Sequence, residues 1–113
     1  MARKAHVYSA QTLDIVRILG LEIARSRRGR RWTAEELAAR AGISRTTLHA
    51  VEQGAPTVAI GVVFEVAVLL GINLLGTSAR DLPDLVDRSR NRLALLPASV
   101  RTTADEGEIG DDF

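Results

Sequence analysis

Residues 32–54, WTAEELAARAGISRTTLHAVEQG, constrain the fold more than any other stretch of the chain. They predict a short helix over 33–41, a tight turn at Gly42 and a second short helix over 45–53. Each helix carries its own start signal. Thr33 and Glu36 have the S/T-x-x-E spacing of a capping box, in which the two residues satisfy each other's orphan backbone donors. Ser44 suits the N-cap of the second helix. Leu37, Ala38 and Ala41 make one apolar face, Leu48 and Val51 make another, and Ile43 sits between them in the turn. Gly42 and Gly54 stand where a helix ends in a left-handed residue, and Pro56 stops any continuation.

The second helix leaves Arg45, Thr46, His49, Ala50 and Gln53 on its polar face. Cationic, hydroxylated and small residues are the kind that reach base edges and phosphates. Charge supports an anionic partner. Residues 1–54 contain ten Lys/Arg and five Asp/Glu, a balance of +5, whereas residues 55–113 balance at −4. Five arginines, Arg25, Arg27, Arg28, Arg30 and Arg31, crowd into positions 25–31. Cations suit a helix C-terminus, but five exceed that need, so some of them are expected to face phosphate.

The rest of the chain reads as helices. A first helix is predicted from Ser9 or Thr12 to about Arg28, with Leu13, Val16, Leu19, Gly20 and Ile23 at helical spacing. Gly20 inside a helix costs about 1 kcal/mol relative to Ala, which points to close helix–helix approach there. Residues 58–70 form a helix apolar on nearly every side, hence one expected to be buried all round. So small a domain covers only part of such a helix. A second copy of the chain is the favoured cover, through Val62, Val66, Leu69, Ile72 and Leu74, and a C-terminal helix of the same chain is the alternative. That C-terminal helix is predicted from Ser78 or Asp81 to about Leu96. Leu82, Leu85, Val86, Ser89 and Leu93 share one of its faces, and Arg88, Arg90 and Arg92 the other.

The organisation expected is a basic arm at 1–8, a DNA-binding domain at 9–76, a C-terminal helix at 77–97 for dimer or partner contact, and an acidic tail at 98–113. The tail has the composition of a disordered segment; Phe113 is its one candidate anchor for a partner, and a solvated tail is the reading that composition favours. No internal repeat is visible. The chain has no cysteine, which excludes a disulfide framework and thiolate metal sites and fits a reducing cytoplasm. His6 and His49 are too far apart in sequence to suggest a metal site, and no cofactor is expected. No apolar segment follows Arg3 and Lys4, so no secretory signal is read. The apolar run at 58–72 contains Glu65 and falls short of the roughly 20 residues that span a bilayer, so no membrane partner is expected.

Residues 19–72 resemble the Xre-type helix-turn-helix family, the fold of the Cro and phage-repressor DNA-binding domains. The matching residues are Leu19-Gly20, Ile23, Arg27, Thr33, Glu36-Leu37-Ala38, Ala41-Gly42-Ile43-Ser44, Thr47-Leu48, Val51-Glu52, Gly54 and Leu70-Gly71-Ile72. The resemblance implies an all-α, five-helix bundle, with the helix after Ser44 as the recognition helix. It implies base contacts by Arg45, Thr46 and Ala50, with His49 beside them, on double-stranded operator DNA with inverted repeats. Phosphate contacts are expected from Arg28, Arg30, Arg31, Thr33, Thr47 and Gln53. It also implies an Arg27–Glu52 ion pair holding the first and recognition helices in register. Two positions depart from the family. Ala34 replaces a phosphate-holding Gln, and Ser26 replaces a bulky apolar residue.

The segment RNRLALLPASVR at 90–101, followed by the acidic tail, is similar to HipB-type antitoxins, dimeric autorepressors that neutralise a HipA-like kinase toxin. The expectation is therefore a cytoplasmic, dimeric repressor and antitoxin. The alternatives are a stand-alone Xre repressor and an interaction module that has lost DNA binding; the arginines at 25–31 and Arg45 argue against the latter. His49 and Glu52, three apart, could suggest acid–base or metal chemistry. Without a second histidine or a nucleophile nearby, no catalytic residue is assigned and the chain is not expected to be an enzyme.

Overall fold

The structure, a computed structural model, describes residues 6–99. Among them are five α-helices and no strand: α1 (Ala10–Gly29), α2 (Ala34–Ala41), α3 (Arg45–Glu52), α4 (Ile60–Leu69) and α5 (Leu82–Ala94). One 3-10 turn, Ala79–Asp81, leads into α5. The fold is all-α. The expectations for residues 1–5 of the basic arm and 100–113 of the acidic tail lie outside the described residues. The chain divides into two units, Met1–Leu74 and Leu75–Phe113.

The first unit is built by local signals that agree with its packing. Ser9 caps α1 by accepting the Thr12 amide. Thr33 Oγ1 accepts the Glu36 amide, and the Thr33 amide donates to Glu36 Oε1 at 2.8 Å, which completes the capping box. Ser44 Oγ accepts the Thr47 amide at the start of α3. Gly42 ends α2 at φ 70°. At α2 and α3, eight residues each, the helices are too short to be stable alone in water. Burial holds them. Ile23 of α1, Leu37 of α2, Leu48 of α3 and Val66 of α4 are essentially inaccessible and form one cluster with Ala38, Val51 and Leu70. Each such aliphatic side chain contributes about 1.5–3 kcal/mol on burial. Ala34 packs against this cluster, so a small apolar residue there serves the core.

Two glycines seat α3 on α1. A Cβ on Gly20 would lie 2.6 Å from the carbonyl oxygens of both Val51 and Glu52. A Cβ on Gly54 would lie 2.7 Å from Arg17 Cα, and Gly54 also needs its φ of 74°. The close approach expected at Gly20 is therefore that of α1 against the last turn of α3.

The structure corrects the reading of the fourth helix. It starts at Ile60, two residues later than predicted. Val58 packs against the core from the preceding segment, and Ala59 supplies no capping side chain. The helix is not buried all round. Val66 and Ala67 face the core, whereas Ile60, Phe64 and Val68 are 70%, 44% and 65% exposed. Val66 was expected in a dimer interface, but it is fully enclosed within the chain itself and has no surface to offer. Val62, Leu69 and Ile72 are half-buried against the same core, and Leu74 is exposed. The outward apolar row is thus Ile60–Phe64–Val68, at i, i+4 and i+8.

In the second unit, α5 has Pro83 in its first turn and an Asp84–Arg88 ion pair one turn apart. None of its residues is buried, and Val86 and Leu93 remain exposed along its apolar face.

Candidate nucleic-acid interface

The geometry of α3 follows from what clamps it. Arg27 of α1 uses all three guanidinium nitrogens. Nε donates to Glu52 Oε2 at 2.7 Å and NH2 to Glu52 Oε1 at 3.2 Å, while NH1 donates to the Trp32 carbonyl at 2.9 Å. Both side chains of the pair are only 11% exposed. The Glu52 hydrogen bond, opposed by burial, raises the Arg27 pKa above its ordinary value, so the guanidinium stays charged. One side chain therefore ties α1 to the end of α3 and to the connection before α2. Both Glu52 oxygens are taken by Arg27, so the carboxylate is not presented beside His49 as an acid or base.

The opposite side of α3 is open. With Leu48 and Val51 turned into the core, helical spacing of 100° per residue puts Thr46, His49, Ala50 and Gln53 on the far face. Arg45, Thr46, His49 and Gln53 are exposed, and Ala50 is half-buried. Among the described residues, none of the four exposed side chains has a hydrogen bond, ion pair or ring contact. Thr47 is half-buried, and its Oγ1 accepts from Ser44 Oγ at 3.0 Å. The Thr33 hydroxyl is engaged in the capping box, accepting the Glu36 amide and bonding the Glu36 carboxylate.

The arginine cluster separates into committed and uncommitted members. Arg25 pairs with Glu22 one turn back, and Arg27 pairs with Glu52. Arg30 was expected at a phosphate, but its NH2 donates to the Leu70 carbonyl at 2.8 Å. It caps the end of α4, where an orphan carbonyl needs a donor. Its guanidinium also lies 5.4 Å from the Trp32 ring centroid, and Arg40 lies 4.4 Å from the same ring. Arg28 and Arg31 remain exposed without a side-chain partner among the described residues. Sequence spacing could not sort these five, because the sorting depends on Glu52 and Leu70, which are remote in sequence. The cation–π stack of Arg40 on Trp32 was missed for the same reason.

A capped helix, a glycine turn, and a second helix clamped at its end with a partner-free polar face define a helix-turn-helix DNA-binding regulator. A family model described as a helix-turn-helix domain matches residues 18–85, more than half of the 113 residues, and the chain belongs to that family. No curated protein and no solved structure is significantly similar to the chain. No helix among the described residues is long and apolar enough to cross a membrane.

Proposed function

We propose that this protein is a homodimeric transcriptional repressor that reads inverted-repeat operator DNA through α3. One observation carries the reading: α3 is fixed at its C-terminal end, yet Arg45, Thr46, His49 and Gln53 face outward with nothing to bind within the described residues. In the major groove, about 12 Å wide, Arg45, Thr46 and His49 contact base edges and Ala50 meets a thymine methyl. Arg28, Arg31, Thr33, Thr47 and Gln53 take the flanking phosphates. Dimerisation is supported by the exposed row Ile60, Phe64 and Val68 together with Leu74, because a soluble surface rarely leaves so many large apolar groups in one run.

Selection of binding sites from a random duplex pool, followed by mobility shift, tests this reading. The expected product is an inverted repeat with half-site centres about 10 base pairs, or a multiple of that, apart. An asymmetric site bound by one subunit would overturn the dimer. Failure to enrich any sequence would overturn the DNA-reading role and favour a protein-interaction module.

The finer assignment is a cytoplasmic HipB-like antitoxin that autorepresses its operon and binds a HipA-like kinase toxin. Its support is the segment at 90–101 with the acidic tail behind it, and an α5 whose apolar residues are unburied. Co-purification with the product of the neighbouring gene, with and without operator DNA, decides it. Absence of a complex leaves a stand-alone repressor.

A further inference from the structure

Four helices of the first unit end in one and the same motif. A residue in the left-handed region donates its amide to the carbonyl three residues back, and the next residue donates to the carbonyl five back. At α2 these are Gly42 to Ala39 and Ile43 to Ala38; at α3, Gly54 to Val51 and Ala55 to Ala50; at α4, Gly71 to Val68 and Ile72 to Ala67. At α1 they are Arg31 to Arg28 at 3.0 Å and Trp32 to Arg27 at 3.1 Å. Three of the four left-handed residues are glycine, at φ 70–74°; the fourth is Arg31, at φ 60°. Arg31 is the one non-glycine residue with positive φ among the described residues.

A side chain in the left-handed region crowds its own backbone, which is why such caps take glycine or asparagine. The cap's backbone hydrogen bonds form equally well with glycine at this position, and no contact of the Arg31 side chain with the described residues offsets that strain. The Arg31 side chain is exposed and makes no hydrogen bond, ion pair or ring contact among them. It follows directly on the last turn of α1 and stands two residues before Thr33, the N-cap of α2. Strained residues persist where they serve a site.

We propose that Arg31 is a DNA-backbone contact held at the expense of fold stability, so that one substitution strengthens the fold and weakens binding. The proposal rests on the DNA-binding reading above and deepens it by separating Arg31 from Arg25, Arg27 and Arg30, whose guanidinium groups are engaged within the protein. A cation fixed on a rigid cap, and not on a mobile arm, also sets how α2 and α3 approach the duplex.

The test compares wild type, Arg31→Gly and Arg31→Lys by fluorescence anisotropy. The probe is a labelled mixed-sequence duplex of about 30 base pairs titrated across a salt series, since phosphate contacts dominate sequence-independent binding. Thermal unfolding is followed in parallel. Arg31→Gly is expected to melt about 5 °C higher than wild type. Its log affinity–log salt slope should be shallower by about 0.9 per bound protomer, which at roughly 0.1 M salt is about an eightfold loss. Arg31→Lys should keep the wild-type slope and melting temperature. Steep salt dependence in wild type with an unchanged slope in Arg31→Gly overturns this inference and leaves the DNA-binding reading standing. A lower melting temperature in Arg31→Gly overturns the strain argument. Absence of any wild-type binding to the duplex at low salt overturns the DNA-binding reading and this inference with it.

Discussion

Replacing Gly20 by alanine tests how closely α1 and the recognition helix meet. The new methyl carbon would stand 2.6 Å from the carbonyl oxygens of Val51 and Glu52 and 3.0 Å from the Glu52 carbonyl carbon. Ordinary contact begins near 3.4 Å, so both oxygens must recede by roughly 0.8 Å. Both atoms are backbone, and no rotamer change relieves them. Moving them displaces buried Val51 and pulls Glu52 off Arg27. Overpacking of this kind costs about 1–3 kcal/mol, and loss of ion-pair geometry takes it to the upper end. Alanine recovers about 1 kcal/mol of helix propensity, which leaves a net loss of about 2 kcal/mol.

For a domain of this size that loss lowers the melting temperature by about 10 °C. Far-UV circular dichroism at one fixed protein concentration measures it, because the proposed dimerisation would make the midpoint concentration-dependent. Gly29→Ala is the control on the same helix. Nothing lies within 4 Å of a Cβ at Gly29, so only propensity acts, and the variant should gain up to about 1 kcal/mol. Opposite shifts from one chemical change in one helix are the expected result. If Gly20→Ala melts at or above the wild-type temperature, α1 and α3 are not in the contact described here.

Arg27→Ala and Glu52→Ala should each cost about 3 kcal/mol by leaving the other charge nearly buried and unpaired, and the double variant should cost well under their sum; additive losses in urea titrations would show that the pair is not coupled. The Glu36 pKa is lowered from the ordinary 4.5 by the Thr33 backbone and side-chain hydrogen bonds. A depressed folded value means that the capping contribution is complete above about 4.5 and is lost as pH falls through the folded value. Carboxyl NMR titration should place the Glu36 midpoint below 4.5, and Thr33→Ala, which keeps the backbone donor and removes the hydroxyl, should move it part of the way up; a midpoint at or above 4.5 in wild type would refute the cap as the cause. Arg45→Ala should relax base preference at one operator position at a cost of about 1–3 kcal/mol, and uniform weakening on all sequences would reduce Arg45 to a phosphate contact. Phe64→Glu should give monomers in sedimentation equilibrium, and a persistent dimer would move the interface off α4.

The caps, the turn at Gly42 and the core positions Ile23, Leu37, Leu48 and Val51 were legible in the sequence because they depend on residues within a few positions of one another. Capping boxes and 3.6-residue periodicity are local, and the tertiary packing agrees with them. What was not legible depends on partners distant in sequence. Residues 58–70 are apolar on nearly every side, so periodicity could not say that Val66 faces inward and Phe64 outward; packing in one cluster with Ile23 and Leu37 decides it. Five arginines in seven positions look equivalent until Glu52 takes Arg27 and the Leu70 carbonyl takes Arg30. The left-handed backbone at Arg31 carried no residue-type signal, because the glycine that usually marks it stands two positions earlier, at Gly29.

The location of these long-range contacts bears on how α3 can act. A helix of eight residues is about 12 Å long and does not persist alone in water, so its orientation is whatever its attachments impose. The attachments to α1 all lie at one end: the Val51 and Glu52 carbonyls against Gly20, the Glu52 carboxylate on Arg27, and Gly54 against Arg17. At the other end Ser44 bonds only locally, to Thr47, and Arg45 and Thr46 have no partner among the described residues. The start of α3 is held to α2 by the Gly42–Ile43 turn and by buried Leu48, so the helix is fixed along its length while Arg45 and Thr46 of its first turn stay exposed and available to a groove. Substitutions at Gly20, Arg27 or Gly54 are therefore expected to change binding without touching DNA, by re-aiming the helix. Substitutions at Arg45 or Thr46 are expected to change binding while leaving the fold as stable as before. Melting temperature and operator affinity measured together on both sets distinguish these two kinds of residue, and a set in which the two quantities always fall together would refute the division.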